Sequence, residues 1–282
     1  MPYPVAYLGP EGTFSHLIAR RHFPKNHPLV ACADIAAVFE FVRQNPEARA
    51  VVPIENSSGG TIYDTIDLLI QHAGQIQAQE ELTLDVSLAL LGHRKEGIKT
   101  IYSHFVPLMH HKEWLAKHFP QARTLSVAST AQAATKVAKS PHSAALASPG
   151  AAALYGLKIL QFPIQPGAVN LTRFYVIGFG EAPQVPRLPQ KTTLVFSLHN
   201  LCGSLHSFLG PLSRNAVNLR MIVSRPVPGK PQTYVFFVEV DGSTDDPKVA
   251  SALERAGKFC ERLDILGSFP CRAAYDSKPP KK

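Results

Sequence analysis

The sequence predicts an α/β protein with a large first part and a smaller second part. Over about 180 residues, short apolar runs alternate with stretches of helical periodicity, which is typical of α/β architecture. Residues 181–190 then carry three prolines in ten positions, which indicates an extended linker. The remaining part has the predicted order β-α-β-β-α-β, the ferredoxin-like pattern.

In the larger part, each predicted strand is a short apolar run, and the predicted helices begin at small polar residues or at a turn. Strands are predicted at 5–8, 50–54, 84–91, 100–103 and 144–147. Asp34 and Ser129 are predicted N-caps, because their side chains can accept hydrogen bonds from the free N–H groups of a first helical turn. Ser148-Pro149 is predicted to open another helix, since proline lacks the N–H that the first turn does not need.

In the smaller part, turn residues also separate the predicted strands and helices clearly. Strands are predicted at 192–198, 217–224, 232–241 and 262–268, with helices at 203–214 and 246–258. Asp245 followed by Pro247 marks the start of the second helix.

Composition excludes several classes of protein. The net charge of +8 comes from scattered Lys and Arg, so a small acidic ligand is favoured over nucleic acid. The four cysteines have no C-x-x-C spacing, and adjacent His110-His111 point in different directions on a helix, so no metal site is predicted. The sequence has no signal-peptide pattern and no apolar run near the ~20 residues that a membrane helix needs.

Three polar loops share one form, in which a strand is followed by Gly, Ser, Thr or Asn and then by a helix. They contain Thr13 and Ser15, Asn56 and Ser57, and Ser129 and Thr130. Each loop could place N–H groups and hydroxyls around an anion. Each could equally be a plain helix cap, and for any single loop capping is the commoner role.

Thr172-Arg173-Phe174 is the most distinctive triplet in the chain. The planar fork of Arg173 suits a carboxylate, although an ordinary salt bridge is an equal alternative. Phe174 suits the wall of a site, but core packing is the commoner role of such a ring. Glu55 could be an acid or a structural residue, and we favour the structural role. No nucleotide-binding glycine motif and no Gly-x-Ser-x-Gly elbow occurs.

Several motifs resemble those of the prephenate dehydratases, in order and over nearly the whole chain. They are Tyr7-Leu-Gly-Pro-Glu-Gly-Thr-Phe-Ser-His16, Val52-Pro-Ile-Glu-Asn-Ser-Ser-Gly-Gly-Thr61, Tyr102-Ser-His104, Ser129-Thr-Ala131, Tyr155-Gly-Leu157 and Asn170-x-Thr-Arg-Phe174. Residues 192–270 resemble the C-terminal ACT domain of that family. The resemblance is to the monofunctional form, without a chorismate mutase segment.

The resemblance implies a catalytic domain over 1–180, built like the type II periplasmic binding proteins from two subdomains around a cleft. The expected subdomains are 1–76 plus 162–180, and 77–161. The linker (181–190), the ACT domain (191–275) and a basic tail (276–282) complete the expected organisation.

The implied reaction converts prephenate into phenylpyruvate, with loss of water and carbon dioxide, in phenylalanine biosynthesis. The resemblance assigns catalysis to Thr172, Arg173 and Phe174, with Thr172 donating to the leaving oxygen and Arg173 holding a carboxylate. Thr13, Ser15, Asn56, Ser57, Ser129 and Thr130 are expected to line the anion cleft. No metal or organic cofactor is needed, because aromatisation of the ring supplies the driving force.

The ACT domain departs from the family in its ligand motifs. The family's Pro-Gly-Ala-Leu-Val reads Cys202-Gly-Ser-Leu-His206, and a family Glu is replaced by Val223. The resemblance implies that phenylalanine binds there as a feedback effector. The expected contact residues are Gly203, Ser204, Leu205, Asn218, Leu219, Ser224, Arg225 and Pro226.

The sequence leaves three hypotheses about function open. The chain could act on prephenate, it could act on arogenate, or it could be a non-catalytic amino-acid sensor. A cytoplasmic homodimer or homotetramer with free thiols is expected.

Overall fold

The computed structural model describes residues 2–165, 167, 169–183, 185, 187–227 and 229–278. Parts of the predicted linker and of the predicted tail therefore lie outside the described residues. Within the described part, no helix is both long and apolar enough to span a membrane.

The chain forms two lobes and a third sheet. The first lobe opens with β1 (Val5–Leu8), α1 (Phe14–His22), β2 (Leu29–Cys32), α2 (Ile35–Gln44), β3 (Arg49–Asn56), β4 (Gly60–Thr61), α3 (Tyr63–Gln71) and β5 (Gln77–Asp85). The second lobe holds β6 (Ala89–Gly92), β7 (Thr100–Ser103), α4 (Phe105–His110), α5 (Lys112–His118), β8 (Arg123–Ser126), α6 (Thr130–Ala138), β9 (Ser143–Ala147), α7 (Ala151–Leu154) and β10 (Lys158–Gln161). The chain returns to the first lobe through β11 (Leu171–Gly178).

The C-terminal sheet contains β12 (Gln190–Leu198), β13 (Leu219–Pro226), β14 (Tyr234–Asp241) and β15 (Cys260–Pro270), with helices α8 (Ser204–Arg214) and α9 (Pro247–Gly257). A last strand, β16 (Tyr275–Asp276), follows. The predicted α/β class and the βαββαβ order of this region are confirmed. The cap of α9 is Asp246 rather than the predicted Asp245.

Strand β11 joins the parts of the first lobe. The sheet order is β16-β5-β11-β3-β1-β2, and β11 runs antiparallel between β3 and β5. The strand predicted at 84–91 is in fact two strands, because β5 ends at Asp85 in the first lobe and β6 begins at Ala89 in the second. The crossing between lobes therefore lies after β5, later than the boundary expected at residue 76.

The C-terminal sheet is covered on both faces. One face packs on α8 and α9 through a core that includes Phe196 and Phe208, whose rings stack. The other face packs on the first lobe, where Tyr175 of β11 meets Phe269 with ring centroids 5.1 Å apart. The two domains thus share one continuous apolar core.

The residues after β15 return to the first lobe instead of forming a free tail. Tyr275 and Asp276 pair with β5, and the backbone N–H of Ser87 donates to the Ser277 hydroxyl at 2.7 Å. Arg272 donates to Glu80 at 2.5 Å. Within the expected basic tail, Asp276 is therefore part of an edge strand of the first sheet, and Ser277 binds the chain just after β5.

Gly267 permits the closest approach between the two domains. Its φ is +150°, and a Cβ placed there would lie 2.1 Å from the carbonyl oxygen of Ala78 on β5. Only glycine meets both conditions, because a side chain would be strained and would also collide with the backbone.

Changing Gly267 to Ala should lower the free energy of unfolding by about 2–5 kcal/mol, from backbone strain and overpacking together. Urea unfolding measures the loss. Gly257→Ala is the matched control, because its Cβ would meet only Leu263 at 3.9 Å. Equal stability of the two variants would contradict this account of the interface.

Candidate active site

The loops predicted to carry function lie where strands end. Parallel β1 and β3 end at the same edge of the first sheet, and antiparallel β11 begins there with Thr172 opposite Asn56. In the second lobe, parallel β7, β8 and β9 also end at one edge. Loops at the carboxyl ends of parallel strands are the usual location of ligand sites in α/β sheets.

Asn56 holds Thr172 by a side-chain hydrogen bond. The Asn56 Nδ2 donates to the Thr172 Oγ1 at 2.8 Å and to the Asn170 Oδ1 at 2.7 Å. The Asn56 Oδ1 accepts from the backbone N–H groups of Ser58 and Gly59. Because the oxygen is taken by two N–H donors, the NH2 group must face Thr172. The Thr172 oxygen accepts, so its own hydrogen is free to donate elsewhere.

Ser57 locks the same corner from the other side. Its backbone N–H donates to the Leu171 carbonyl at 2.8 Å, and its Oγ accepts from the Leu171 N–H at 3.0 Å. Among the predicted site residues, Asn56 therefore contacts Thr172 directly, and Ser57 contacts Leu171, the residue before Thr172. Asn170 also belongs to this corner, because it accepts a hydrogen bond from Asn56. From the sequence alone it had no role beyond its place in the Asn170-x-Thr-Arg-Phe174 motif.

Thr13 and Ser15 lie at the start of α1. The Thr13 Oγ1 accepts from the His16 N–H at 3.2 Å and donates to the Leu8 carbonyl at 3.0 Å. The hydroxyl of Thr13 is thus a helix cap, and Ser15 is buried beside it. His16 stacks on Tyr7, and burial lowers the pKa of the His16 imidazole.

Ser129 and Thr130 occupy the equivalent place in the second lobe. The Ser129 Oγ accepts from the Gln132 N–H at 3.0 Å and caps α6, while Thr130 is buried. The capping role is therefore present at two of the three loops. What these two loops offer a ligand is the start of a helix, with its N–H groups and positive dipole end.

The two lobes touch at these loops. The Ser148 Oγ donates to the Gly12 carbonyl at 2.6 Å, and the Tyr155 hydroxyl donates to the Glu11 carbonyl at 2.7 Å. The His110 Nε2 donates to the Ser58 carbonyl at 3.2 Å. These contacts bring loops of the second lobe against the loops at residues 11–13 and 56–61.

A cavity of about 240 Å³ lies beside this corner, where the chain crosses between lobes. Ser58 and Asn170 line it from the first lobe, and His110 and His111 line it from the second. Burial lowers the pKa of the His111 imidazole and so favours its neutral form.

Arg173 does not point toward Thr172. Successive side chains on a strand face opposite sides of the sheet, and the Arg173 guanidinium lies on the side of the C-terminal domain. There it donates to Glu55 at 2.9 Å and to Glu81 and Glu239. The structure thus differs from the expectation that Arg173 holds a substrate carboxylate, because this fork is already paired with three carboxylates.

Phe174 is a core residue in the structure. Its ring is 1% exposed and packs in the cluster that contains Tyr7 and Ile18. The expectation that it walls the cleft is replaced by the core alternative. Glu55 has the structural role favoured from sequence, as the partner of Arg173.

The positions expected to bind an effector lie in the C-terminal domain. Gly203, Ser204 and Leu205 form the start of α8, where Gly203 has a φ of +82°. Asn218 donates to Asp241 at 3.0 Å. Leu219, Ser224, Arg225 and Pro226 lie on β13, the edge strand. Arg225 makes two 2.6 Å hydrogen bonds to Asp67 on α3, and so joins the two domains.

Two family models match this chain. Prephenate dehydratase matches residues 5–182, and the ACT domain matches residues 192–258. Together these matches cover the first lobe, the second lobe and most of the C-terminal sheet.

Relatives and solved structures are similar over nearly the whole chain. A bifunctional chorismate mutase/prephenate dehydratase of Stutzerimonas stutzeri is 38% identical over 95% of this chain and 73% of its own length. The structure of a prephenate dehydratase from Arthrobacter aurescens in complex with L-Phe is 28% identical, with a TM-score of 0.83 over 95% of this chain and 89% of that one.

A protein described as a novel type of quorum quenching acylase, GqqA, is also similar. It is 28% identical, with a TM-score of 0.85 over 95% of this chain and 98% of that chain.

The family match spans the corner that holds Asn56 and Thr172, and the ACT match spans the sheet docked behind it. The chain therefore belongs to the prephenate dehydratase family, the carbon–oxygen lyases of phenylalanine biosynthesis, and carries a C-terminal ACT domain.

Proposed function

We propose that this chain converts prephenate into phenylpyruvate at the corner formed by Asn56, Ser57 and Thr172. The observation that carries the proposal is the hydrogen bond from the Asn56 amide to the Thr172 oxygen, which leaves the hydroxyl hydrogen free to donate. Thr172 is 9% exposed, so its hydroxyl lies in a largely water-excluded place.

The reaction requires one proton for the leaving oxygen and a substrate held in the reactive orientation. The C–O bond to the ring hydroxyl breaks as this oxygen receives a proton and leaves as water. The C–C bond to the ring carboxylate breaks at the same time, carbon dioxide leaves, and the electron pair enters the ring. Thr172 donates a hydrogen bond or a relayed proton to the leaving oxygen, and the protein otherwise holds the substrate in place.

Helix starts, rather than Arg173, are proposed to receive the remaining carboxylate. Helices α1 and α6 begin in opposite lobes, at Thr13 and Ser129. Their N–H groups and dipoles favour an anion, and the buried hydroxyls of Ser15 and Thr130 lie in the same first turns.

Wild-type protein incubated with prephenate should form phenylpyruvate. Thr172→Ala should lower kcat by about 10²–10⁴-fold, the range for a lost proton-donating group, because alanine has no hydroxyl to donate. Thr172→Ser keeps the hydroxyl and should retain most of the activity. Full activity of Thr172→Ala would remove Thr172 from the mechanism.

The same assay separates the competing functions. Preference for arogenate over prephenate would change the substrate but keep the site. Phenylalanine binding without turnover of either compound would favour the amino-acid sensor. Acylase activity with no turnover of prephenate would align the chain with GqqA.

Changing Asn56 to Asp tests the orientation of the hydroxyl. The carboxylate can still accept from the Ser58 and Gly59 N–H groups, but it cannot donate to Thr172 and would accept the hydroxyl hydrogen instead. We expect kcat to fall by about tenfold to a hundredfold, as for a misplaced reacting group, with little change in melting temperature. Asn26→Asp, in an exposed turn, is the control. Equal kcat values for the two variants would contradict the proposed orientation.

We further propose that phenylalanine binds beside the start of α8. A hollow of about 150 Å³ is lined there by residues that include Ser204, Leu205 and Phe236. Ser224 of the second motif pairs with Phe236 across β13 and β14, so it lies next to one of the residues that line this hollow. Arg225, bound to Asp67, then connects the effector strand to the first lobe.

Phenylalanine should stabilise the protein by mass action, by about 2.7 kcal/mol at a concentration one hundred times its Kd. Thermal unfolding with L-phenylalanine and with D-phenylalanine measures this effect, and only the L form should raise the melting temperature. Ser204→Trp fills the hollow and should abolish the shift. A shift that persists in this variant would place the effector elsewhere.

We also propose that two ACT domains pair at their edges in a homodimer or homotetramer. Strand β13 is an open edge within this chain, and Ile222 on it is 40% exposed. The thiols of Cys32, Cys202, Cys260 and Cys271 are free, which agrees with the proposed cytoplasmic location.

A further inference from the structure

Five charged groups meet between the ACT sheet and the first lobe. Arg173 contacts Glu55, Glu81 and Glu239, and Lys191 contacts Glu81 at 2.9 Å and Glu239 at 3.0 Å. Glu239 and Lys191 come from ACT strands β14 and β12, while the other three belong to the first lobe. We name these five residues the interdomain charge cluster.

Glu239 is the most enclosed member of the cluster. Its side chain is fully buried, and it accepts from Arg173 and from the hydroxyl of Tyr175. Burial alone would favour the neutral acid, but Arg173 and Lys191 outweigh it and hold the pKa of Glu239 below its ordinary value. Glu239 is therefore a buried carboxylate that depends on its two cations.

The cluster lies one residue away from the catalytic corner. In the register of β11 and β3, Arg173 is opposite Glu55, and the next pair is Thr172 with Asn56. The first pair faces the ACT sheet and the second faces the cleft, because successive side chains alternate. A shift of the Arg173 backbone is therefore passed directly to Thr172, its neighbour in the strand.

The pairing of β11 with β3 is irregular beside the Arg173–Glu55 pair. The pairing of β11 with β3 shifts register between Arg173 and Phe174. The pairing with β3 is therefore irregular next to Thr172, while the pairing with β5 stays in register from Leu171 to Val176. The ion pairs of Arg173 add contacts that hold this part of the strand on the ACT face.

We propose that Glu239 of the ACT domain is a positioning residue for catalysis, acting through Arg173 on the strand pair that holds Thr172 and Asn56. Glu55 and Glu81 belong to the same lobe as Arg173, so Glu239 is the only one of its three carboxylate partners that the ACT sheet itself supplies. Displacement of that sheet withdraws one carboxylate from the guanidinium and releases the strand beside Thr172. The proposal rests on the proposed function, because it concerns the turnover of prephenate.

Glu239→Gln removes the charge at nearly constant volume and is the first test. Its kcat for prephenate should fall by about tenfold to a hundredfold, as for a small misplacement of a reacting group, while KM stays within about twofold. Glu254→Gln is the matched control, since it makes the same change at an exposed site on α9 of the same domain. Full-length protein is used throughout, and melting temperatures are measured alongside.

A double variant tests whether Glu239 acts through Arg173. Arg173→Lys keeps the charge but loses the planar fork, so it should lower kcat by itself. In that background, Glu239→Gln should add much less than it does in the wild type. Effects that multiply independently would overturn the proposal.

Other outcomes are equally decisive. If Glu239→Gln does not fold, Glu239→Asp, which keeps the charge but shortens its reach, should still lower kcat without changing KM. Folded Glu239→Gln, or folded Glu239→Asp in its place, with the kcat of the wild type would overturn the positioning role. Wild-type protein that does not turn over prephenate would refute the proposed function instead.

Discussion

The alternation of side chains along β11 is the constraint on which the other features depend. This strand lies between β3 and β5, and most of its residues are buried. Its period of two sends Thr172 toward the cleft and Arg173 toward the ACT sheet. One strand therefore carries both the proposed catalytic corner and the ionic contact between domains, at neighbouring residues.

Burial makes this arrangement demanding. A carboxylate or guanidinium that leaves water must recover its hydration through several short contacts, and the loss of one partner leaves an uncompensated charge. Glu239 has two cations and a tyrosine hydroxyl around it. The burial of Tyr175 and the charge of Glu239 raise the pKa of the Tyr175 hydroxyl, so it remains a donor to that carboxylate.

Local chemistry made much of the fold predictable from the sequence. Asp34 and Ser129 cap their helices as expected, since capping depends only on neighbours along the chain. The order of the ACT elements was also predictable, because its strands and helices are separated by clear turns. The lobe boundary was not: residues 84–91 form one apolar run, and only the tertiary structure divides it between two sheets.

In the candidate site, too, local motifs were predictable from the sequence and long-range contacts were not. Asn56, Ser57 and Thr172 could be identified because they belong to specific motifs, and the strand register brings them together. Arg173 belongs to the same motif as Thr172, but its side chain lies on the opposite face of the sheet, among carboxylates. Its partners Glu81 and Glu239 are 92 and 66 residues away in sequence, and no local pattern joins them to it. Long-range pairing between charges of different domains leaves no periodic signal.

The return of residues 271–278 to the first lobe gives the ACT domain the topology of an insertion. The chain enters it from β11 and leaves it to pair with β5, so both of its ends are anchored on one sheet. A domain held at one end can swing as a whole about its tether, whereas one held at both ends cannot separate without breaking β16 from β5. We therefore expect amide hydrogen exchange in β5 and in the ACT sheet to report one shared opening event, with the two domains unfolding as a single cooperative unit.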